Sequence, residues 1–351
     1  MPRFDYAVCI GRFEPFHLGH LAVLRRALDL GERAVVLIGS ADAPRSARNP
    51  WTYEERAVMI RAALGAEAER LIVRPLVDHL YNETAWVAEV QDQVAAAVEE
   101  DGRPAQHGES GAASIALVGH DKDASSQYLA AFPQWERIEL DQTAMLSATD
   151  LRRHLFSEDA GALRLVEANV PPAVFGMLAA FRTTEAFAHV AEEFRHVESY
   201  KAAWAAAPYP PTFVTADAVV VHSGHVLMVK RKAQPGRGLW ALPGGFVDQD
   251  ETTLDAAVRE LREETRLKIP APVLRGSLKG RAVFDHPYRS MRGRTITHAF
   301  HFDFPAGPLP AVRGGDDAVR ARWIPVAEAR RMRSHLFEDH FFILEHFLGA
   351  A

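Results

Sequence analysis

The sequence predicts an α/β protein of two successive domains, a doubly wound parallel sheet followed by a mixed α/β sandwich. Three observations carry this. Apolar strand-like runs alternate with amphipathic stretches through the first half of the chain; a proline-rich segment, Ala-Ala-Ala-Pro-Tyr-Pro-Pro, interrupts it at 205–211; and β-branched runs then surround one strongly helical segment. At 351 residues the chain also exceeds what one ordinary core organises, so two domains are the expected number.

In order, Tyr6–Ile10, Ala34–Ile38, Leu71–Val73 and Ile115–Val118 read as strands, with Leu18–Leu30 and Trp86–Glu99 as helices between them. That alternation implies βαβ units, whose ligands sit at the carboxyl ends of the strands. Cys9, the single cysteine, falls in the first apolar run and reads as a buried strand thiol. The polar, glycine-containing stretch from Gly102 to Ala113 reads as an exposed loop inserted between a helix and a strand. The first domain is placed at 1–184, a helical and proline-rich linker at 185–211, and the second domain at 212–351. Prolines forbid continuation of the helix that covers Glu192–Tyr200. In the second domain Thr212–Val221, His225–Lys230 and Thr295–Phe304 read as strands and Thr252–Glu264 as a helix.

Composition narrows the function classes. A hydrophobic share of 48% with 25% charged residues is that of a soluble globular protein. No stretch reaches the roughly 18 apolar residues needed to span a bilayer, and the N-terminus lacks the pattern of a signal peptide. A lone cysteine forms no internal disulfide, so a cytoplasmic location is expected. A net charge of −6 argues against a nucleic-acid surface while leaving room for a local pocket that takes small anions.

Directly after the first strand the chain reads Gly11-Arg12-Phe13-Glu14-Pro15-Phe16-His17-Leu18-Gly19-His20, with the helix beginning near Leu18. Two imidazoles three residues apart on a first helical turn face one side. With the open backbone N–H groups there they suit a polyphosphate. A helix cap at His17 and a surface His20 form the competing reading, which the flanking glycines and the strand-to-helix context disfavour.

This segment resembles the signature of the HxGH nucleotidyltransferase superfamily, in the variant of archaeal-type nicotinamide mononucleotide adenylyltransferases. Asn49-Pro50-Trp51-Thr52-Tyr53-Glu54-Glu55-Arg56 and Leu146-Ser147-Ala148-Thr149-Asp150-Leu151-Arg152 are similar to two further segments of that family, with Ala148 in place of the usual second serine. The resemblance implies a Rossmann-like sheet. It also implies His17, His20 and Arg152 as catalytic groups, and Gly11, Arg12, Phe13, Gly19, Arg56, Ser147 and Thr149 as nucleotide contacts. Ser147 and Thr149 could equally cap a helix, and Arg56 could be a solvated helix residue. Asp78, Asn82 and Trp86 resemble the stretch that meets nicotinamide, where a Trp face suits a cationic ring; a core Trp is the alternative. Gly119 and Asp121 lie after a strand end and resemble residues that meet the nucleotide sugar, against a plain strand-to-helix turn.

The second motif runs from Gly245 to Leu267. Gly245, Glu251 and Arg259-Glu260-Leu261-Arg262-Glu263-Glu264 fall at Nudix spacing. Glu260, Glu263 and Glu264 lie at i, i+3 and i+4, so their carboxylates crowd one helical face unless a cation sits among them. Oxygen ligands favour Mg²⁺, with Mn²⁺ as the other candidate. Glu251 and Arg259 read as a structural ion pair. Arg266 stands where the pattern has glycine, a left-handed position at which a side chain costs roughly 1 kcal/mol.

The segment is similar to the Nudix hydrolases, and Leu239–Val247 to those that act on ADP-ribose. The resemblance implies an α/β/α sandwich, Glu263 and Glu264 as catalytic groups, Glu260, Glu263, Glu264 and Gly245 as metal ligands, and Arg289 and Arg294 as substrate contacts. Asp316 and Asp317 read as an ordinary loop that could supply a further carboxylate.

The order of the two motifs resembles the bifunctional nicotinamide mononucleotide adenylyltransferase/Nudix hydrolases. That implies ATP, nicotinamide mononucleotide, NAD and ADP-ribose as partners, with neither nucleic acid nor membrane, and homo-oligomerisation left open. The rivals are an adenylyltransferase with another mononucleotide acceptor, and a second domain that senses a nucleotide without cleaving it.

Overall fold

The computed structural model describes residues 2–104, 106–107, 112–119, 131–140, 147–157 and 159–349. Two compact units, Met1–Ala191 and Glu192–Ala351, divide the chain. Among the described residues no helix is long and apolar enough to cross a membrane.

In the first unit the strands are β1 (Phe4–Gly11), β2 (Gly31–Ile38), β3 (Leu71–Pro75), β4 (Ile115–Gly119) and β5 (Glu136–Glu139). The helices are α1 (Leu18–Leu30), α2 (Tyr53–Leu64), α3 (Glu83–Asp101), α4 (Ala148–Phe156), α5 (Ala160–Asn169) and α6 (Pro172–Phe181). The sheet order is β3-β2-β1-β4-β5, and every pair is parallel. The order reverses beside β1, which puts the turn into α1 at the topological switch point. Val8, Val35, Leu37 and Leu117 come from neighbouring strands and bury their side chains against Val90, Val94 and Ala97 of α3. Near-continuous apolar strands of this kind follow from a parallel sheet covered on both faces.

Cys9 is 2% exposed, and burial pushes its thiol up to about 12, far from the reactive range. At the other end of β1, the Asp5 carboxylate accepts from the backbone N–H groups of Gln106, His107 and Ser114 and from the Ser114 hydroxyl. The loop expected from Gly102 to Ala113 is therefore tied to the sheet through Gln106 and His107, and the chain is tied again at Ser114 just beyond it.

Helix α7 (Glu185–Ala203) contains the division between the two units, so its first residues count with the first and its remainder with the second. Within the second unit, β6 (Thr212–His222), β7 (His225–Arg231), β8 (Trp240–Ala241), β9 (Gly244–Phe246), β10 (Leu278–Phe284), β11 (Arg294–Phe304) and β12 (Ala318–Pro325) form one mixed sheet. The helices are α8 (Thr253–Thr265), α9 (Ala271–Gly276), α10 (Val326–Ala329) and α11 (His340–Leu348). The sheet path is β10-β11-β6-β7-β12, with β8 on β7 and β9 on β6; only β11 and β6 run parallel. One face packs against Ala257, Val258 and Leu261 of α8, and the other against Ile343 and Leu344 of α11. Two covered faces make this the expected α/β/α sandwich.

Candidate functional site

Each unit carries one constellation of polar groups. In the first unit, His17 has extended backbone geometry and caps α1: its Nδ1 accepts from the N–H groups of Gly19 at 3.1 Å and His20 at 3.4 Å. The N–H of His17 in turn donates to Nδ1 of His20 at 3.3 Å. Two imidazoles thus form a reciprocal capping box of the kind usually made by Ser and Glu. The rings stack with centroids 3.6 Å apart. Because each Nδ1 accepts, the neutral rings carry their proton on Nε2, which makes both Nε2 atoms donors. Capping and the proposed chemistry, competing readings in sequence terms, occupy different atoms of the same rings.

The loop before the helix is organised from within. Phe13 takes a left-handed φ of 57° and lays its ring over Gly11, where a Cβ would stand 3.0 Å from the ring. The same ring meets His20 edge-on at 4.9 Å. Glu14, which sequence reasoning passed over, is 1% exposed. Its carboxylate lies 3.2 Å from Nε of Arg56 and accepts from the N–H of Trp51, and its carbonyl accepts from Arg152. Burial pushes the Glu14 carboxyl up to about 8 in spite of Arg56 and Arg152. A Glu between a Phe and a Pro reads as surface acid unless its partners from 51–56 and 152 are known.

Arg56 corrects its expectation as a nucleotide contact. It is 1% exposed, and its donors go to the carbonyls of Arg12, Gly39, Ser40 and Thr52, so it builds the loop from behind. Arg152 is 7% exposed, with burial lowering it to about 10; it joins the Glu14 carbonyl to the hydroxyl of Thr149 at 3.2 Å. Ser147 caps α4 in a box with Asp150, which settles its hydroxyl as a helix group. Arg12 is half-buried and donates to Asn49 at 3.3 Å.

Further along, Asp78 lies near enough to Arg56 to act on its charge. Asn82 caps α3 through the N–H of Ala85, and Trp86 is half-buried and packs at 6.1 Å on Phe132 against the core. Gly119 ends β4 and accepts from the N–H of Leu140. Asp121 lies outside the described residues. The structure therefore brings Gly11, Arg12, Phe13, His17, Gly19, His20, Thr149 and Arg152 to one loop system and leaves Asn82 and Trp86 with structural partners.

In the second unit a cavity of about 230 Å³ is lined by Asp217, Gly244, Gly245, Glu260, Glu264, Asp316 and Asp317, among others. Helix α8 supplies Glu260 and Glu264. Glu264 is 6% exposed and accepts from the N–H of Gly244 at 3.0 Å. Burial, with the nearby charge of Glu260, pushes its carboxyl up to about 8; burial raises Glu260 as well, with Glu263 and Asp316 adding to the effect. Gly245 stands where any Cβ would collide with the Glu260 carboxylate.

Arg259 forms the expected ion pair with Glu251, at 2.6 Å, and also reaches Glu260 at 2.8 Å, Glu263 at 3.1 Å and the Phe246 carbonyl. Those bonds, the Glu251 bond first, hold its charge firmly in place. Among the described residues no three His, Cys, Asp or Glu side chains form a ready ligand set. A buried and a half-buried carboxylate with raised proton affinity, a third acid in Asp316 and a glycine that admits close approach nonetheless suit a hard divalent cation.

The other candidates have partners of their own. Glu263 lines an adjoining hollow with Arg262, Arg266 and Lys268, and its carboxylate lies 3.1 Å from the same Arg259 nitrogen that meets Glu260 at 2.8 Å. Arg289 lines the cavity, but its guanidinium is taken up by the fully buried Asp339 at 2.8 and 2.7 Å. Arg294 is bound to the Asp285 carbonyl and lines another hollow. Asp316, expected in an ordinary loop, lines the cavity with a left-handed φ of 46°. Sequence reasoning missed Asp217, Arg231, Arg292, Glu338 and His340 altogether. They come from strands, from the turn before β11 and from the entry to α11, and no spacing links them. His340 is buried and accepts the N–H of Leu242 on Nδ1 at 2.9 Å. Arg266 has the left-handed geometry its position demands, φ 52° and ψ 26°, and packs over Gly315.

Comparison with known proteins follows the same division. A cytidylyltransferase-like domain model matches residues 8–154, and a NUDIX domain model matches residues 211–344. The chain is 32% identical over 200 residues to a nicotinamide/nicotinic acid mononucleotide adenylyltransferase of Acinetobacter baylyi, covering 57% of this chain and 98% of that one. It is 39% identical over 110 residues to an ADP-ribose pyrophosphatase of Methanocaldococcus jannaschii, covering 31% of this chain and 60% of that one. A solved bifunctional NMN adenylyltransferase/ADP-ribose pyrophosphatase from Francisella tularensis matches at 35% identity and a TM-score of 0.87, over 98% of both chains. The same protein complexed with AMP and a manganese ion matches at 34% identity and a TM-score of 0.86.

Proposed function

This chain belongs to the family of bifunctional NMN adenylyltransferases/ADP-ribose pyrophosphatases, and from that membership we propose how its two constellations divide the work. The first unit joins ATP to nicotinamide mononucleotide: a phosphate oxygen of the mononucleotide attacks the α-phosphorus of ATP, pyrophosphate leaves, and NAD forms. No covalent enzyme intermediate is needed, so the protein positions the phosphates and offsets their charge. The Nε2–H groups of His17 and His20 donate to phosphate oxygens at the N-terminus of α1. Arg152 and Arg12 supply positive charge beside them, and Glu14 with Arg56 keeps the loop in shape.

The second unit hydrolyses ADP-ribose to AMP and ribose 5-phosphate, with water attacking the diphosphate. Glu260 and Glu264 hold a divalent cation, which when bound neutralises diphosphate charge and makes water a better nucleophile near neutral pH. We propose Mg²⁺ for this role, with Mn²⁺ as the alternative. Arg259 holds the loop against α8, and the buried cluster of Arg289 and Asp339 fixes the far wall. Both reactions are proposed to run in the cytoplasm.

The observation that carries this reading is the likeness along the whole chain to a solved protein that bears both activities in its name. The test is a pair of assays on the purified full chain: NAD formed from ATP and nicotinamide mononucleotide, and AMP released from ADP-ribose with Mg²⁺. Absence of either product removes the corresponding half. A second acceptor reading rests on the Acinetobacter relative, whose name includes nicotinic acid mononucleotide. Running the first assay with both acceptors decides between them.

A further inference from the structure

Resting on the hydrolase reading, we propose that Glu193 of α7 is a positioning residue of the second unit's cavity, fixing the loop and the ring that hold Arg231 in place. Four arginines line the cavity, and three are engaged by acids: Arg259 by Glu251, Arg289 by Asp339 and Arg292, at 3.9 Å, by Glu338. Among the described residues Arg231 has no ion pair, so its charge is the one left to meet a diphosphate.

A loop and a ring keep Arg231 where it is. Its guanidinium lies over the Phe337 ring, 4.0 Å from the centroid, and its Nε donates to the carbonyl of Pro235 at 2.9 Å. The loop closes on Arg231 itself, whose N–H donates to the carbonyl of Leu239 and whose carbonyl accepts from the N–H of Gly238. Gly236, at φ 75°, lies so close to Phe337 that a Cβ there would collide with the ring. Any shift of Gly236 therefore disturbs both supports of Arg231.

Glu193 fixes Gly236. It is 3% exposed, and its Oε1 accepts from the N–H of Gly236 at 2.8 Å. Burying a carboxylate for packing alone costs free energy, whereas a charge-assisted bond to a buried N–H satisfies both groups. The neighbouring pair of Glu192 with Arg237, at 2.6 Å, is 43% exposed on both side chains and ties the same loop only weakly. A support of the cavity thus lies in α7, upstream of residues 211–344, which the NUDIX domain model matches.

The experiment uses the full chain with ADP-ribose and Mg²⁺. It compares wild type with Glu193→Ala, Glu193→Gln, Gly236→Ala and the double variant Glu193→Ala/Gly236→Ala. We expect Glu193→Ala to raise KM about tenfold with kcat within about threefold of wild type, because Arg231 meets the diphosphate in ground and transition states alike. Glu193→Gln keeps an oxygen for the Gly236 N–H and should recover most of that loss. Gly236→Ala should raise KM to a similar extent, and the double variant should be little worse than either single one, since both changes act on one support. An unchanged KM in Glu193→Ala overturns the assignment. So does a fall in kcat at constant KM, the mark of a lost folded fraction. A Glu193→Gln variant as impaired as Glu193→Ala overturns it too, as do effects that add in the double variant. A wild-type chain that leaves ADP-ribose intact removes the hydrolase reading itself, and this inference with it.

Discussion

A carboxyl that is 1% exposed and flanked by Arg56 and Arg152 holds its proton more tightly in the folded chain than in the unfolded one, because burial outweighs both guanidinium groups. Glu14 therefore contributes most to stability below its unfolded value of about 4.5, and that contribution is lost as pH rises toward about 8. Glu14→Gln should flatten this part of the stability profile. Urea unfolding of both chains at pH 5 and pH 8 checks it; parallel profiles would show that Glu14 is not the source. At Arg266 the left-handed backbone is occupied by a residue that resists it, so Arg266→Gly should stabilise the second unit by roughly 1 kcal/mol. A thermal transition that moves down would show instead that packing over Gly315 outweighs the backbone cost. Arg266 was legible because its reading depends on one backbone torsion set by local position. Glu14, Arg289 and Arg294 were not, since their roles depend on partners about 9 to 138 residues away, such as Asp285, Asp339 and Arg152.

Helix α8 and the turn before it show how an element presents chemistry. Its apolar stripe, Ala257, Val258 and Leu261, locks it to the sheet, and that docking turns Glu260 and Glu264 into the cavity wall, with Glu263 beside Glu260 on the same Arg259 nitrogen. The spacing i, i+3, i+4 places three acids on one side of an isolated helix; it does not say which of them the opposite strand meets. Glu263→Gln should accordingly reduce ADP-ribose hydrolysis less than Glu264→Gln does, and the reverse order would mean that the cavity is not where the reaction occurs. Gly245→Ala should lower hydrolysis by about 100-fold, because its Cβ displaces Glu260 from the cavity wall. Some long elements were read from the sequence to within a few residues: the expected helix at 86–99 extends over Glu83–Asp101, and the strand at 212–221 over Thr212–His222, whereas α2, β10 and β12 were not assigned. The short strands β5, β8 and β9 escaped because two to four residues carry no periodicity and owe their conformation to the neighbour they pair with.

Each half of the molecule has its own sheet and its own core. Glu264→Gln should abolish AMP release and leave NAD formation within about twofold of wild type, as for independent sites. Assaying both products on one preparation reads this directly, and a parallel fall in NAD formation would point to coupling between the halves. The order of the two architectures was legible because parallel and mixed sheets differ in their hydrophobic patterning along hundreds of residues, and the two motifs sit at the turns that such sheets use for ligands.

The two stacked imidazoles at the start of α1 do double duty, since the nitrogens that cap the helix belong to the same rings whose outer nitrogens face the proposed phosphates. Alanine at His20 would unwind the first turn as well as remove a donor, and the kinetic deficit would overstate what the ring gives to the reaction. Asparagine at that position keeps an oxygen able to take the amide hydrogen of His17 while deleting the outer donor. The gap between the two variants is the share owed to scaffolding.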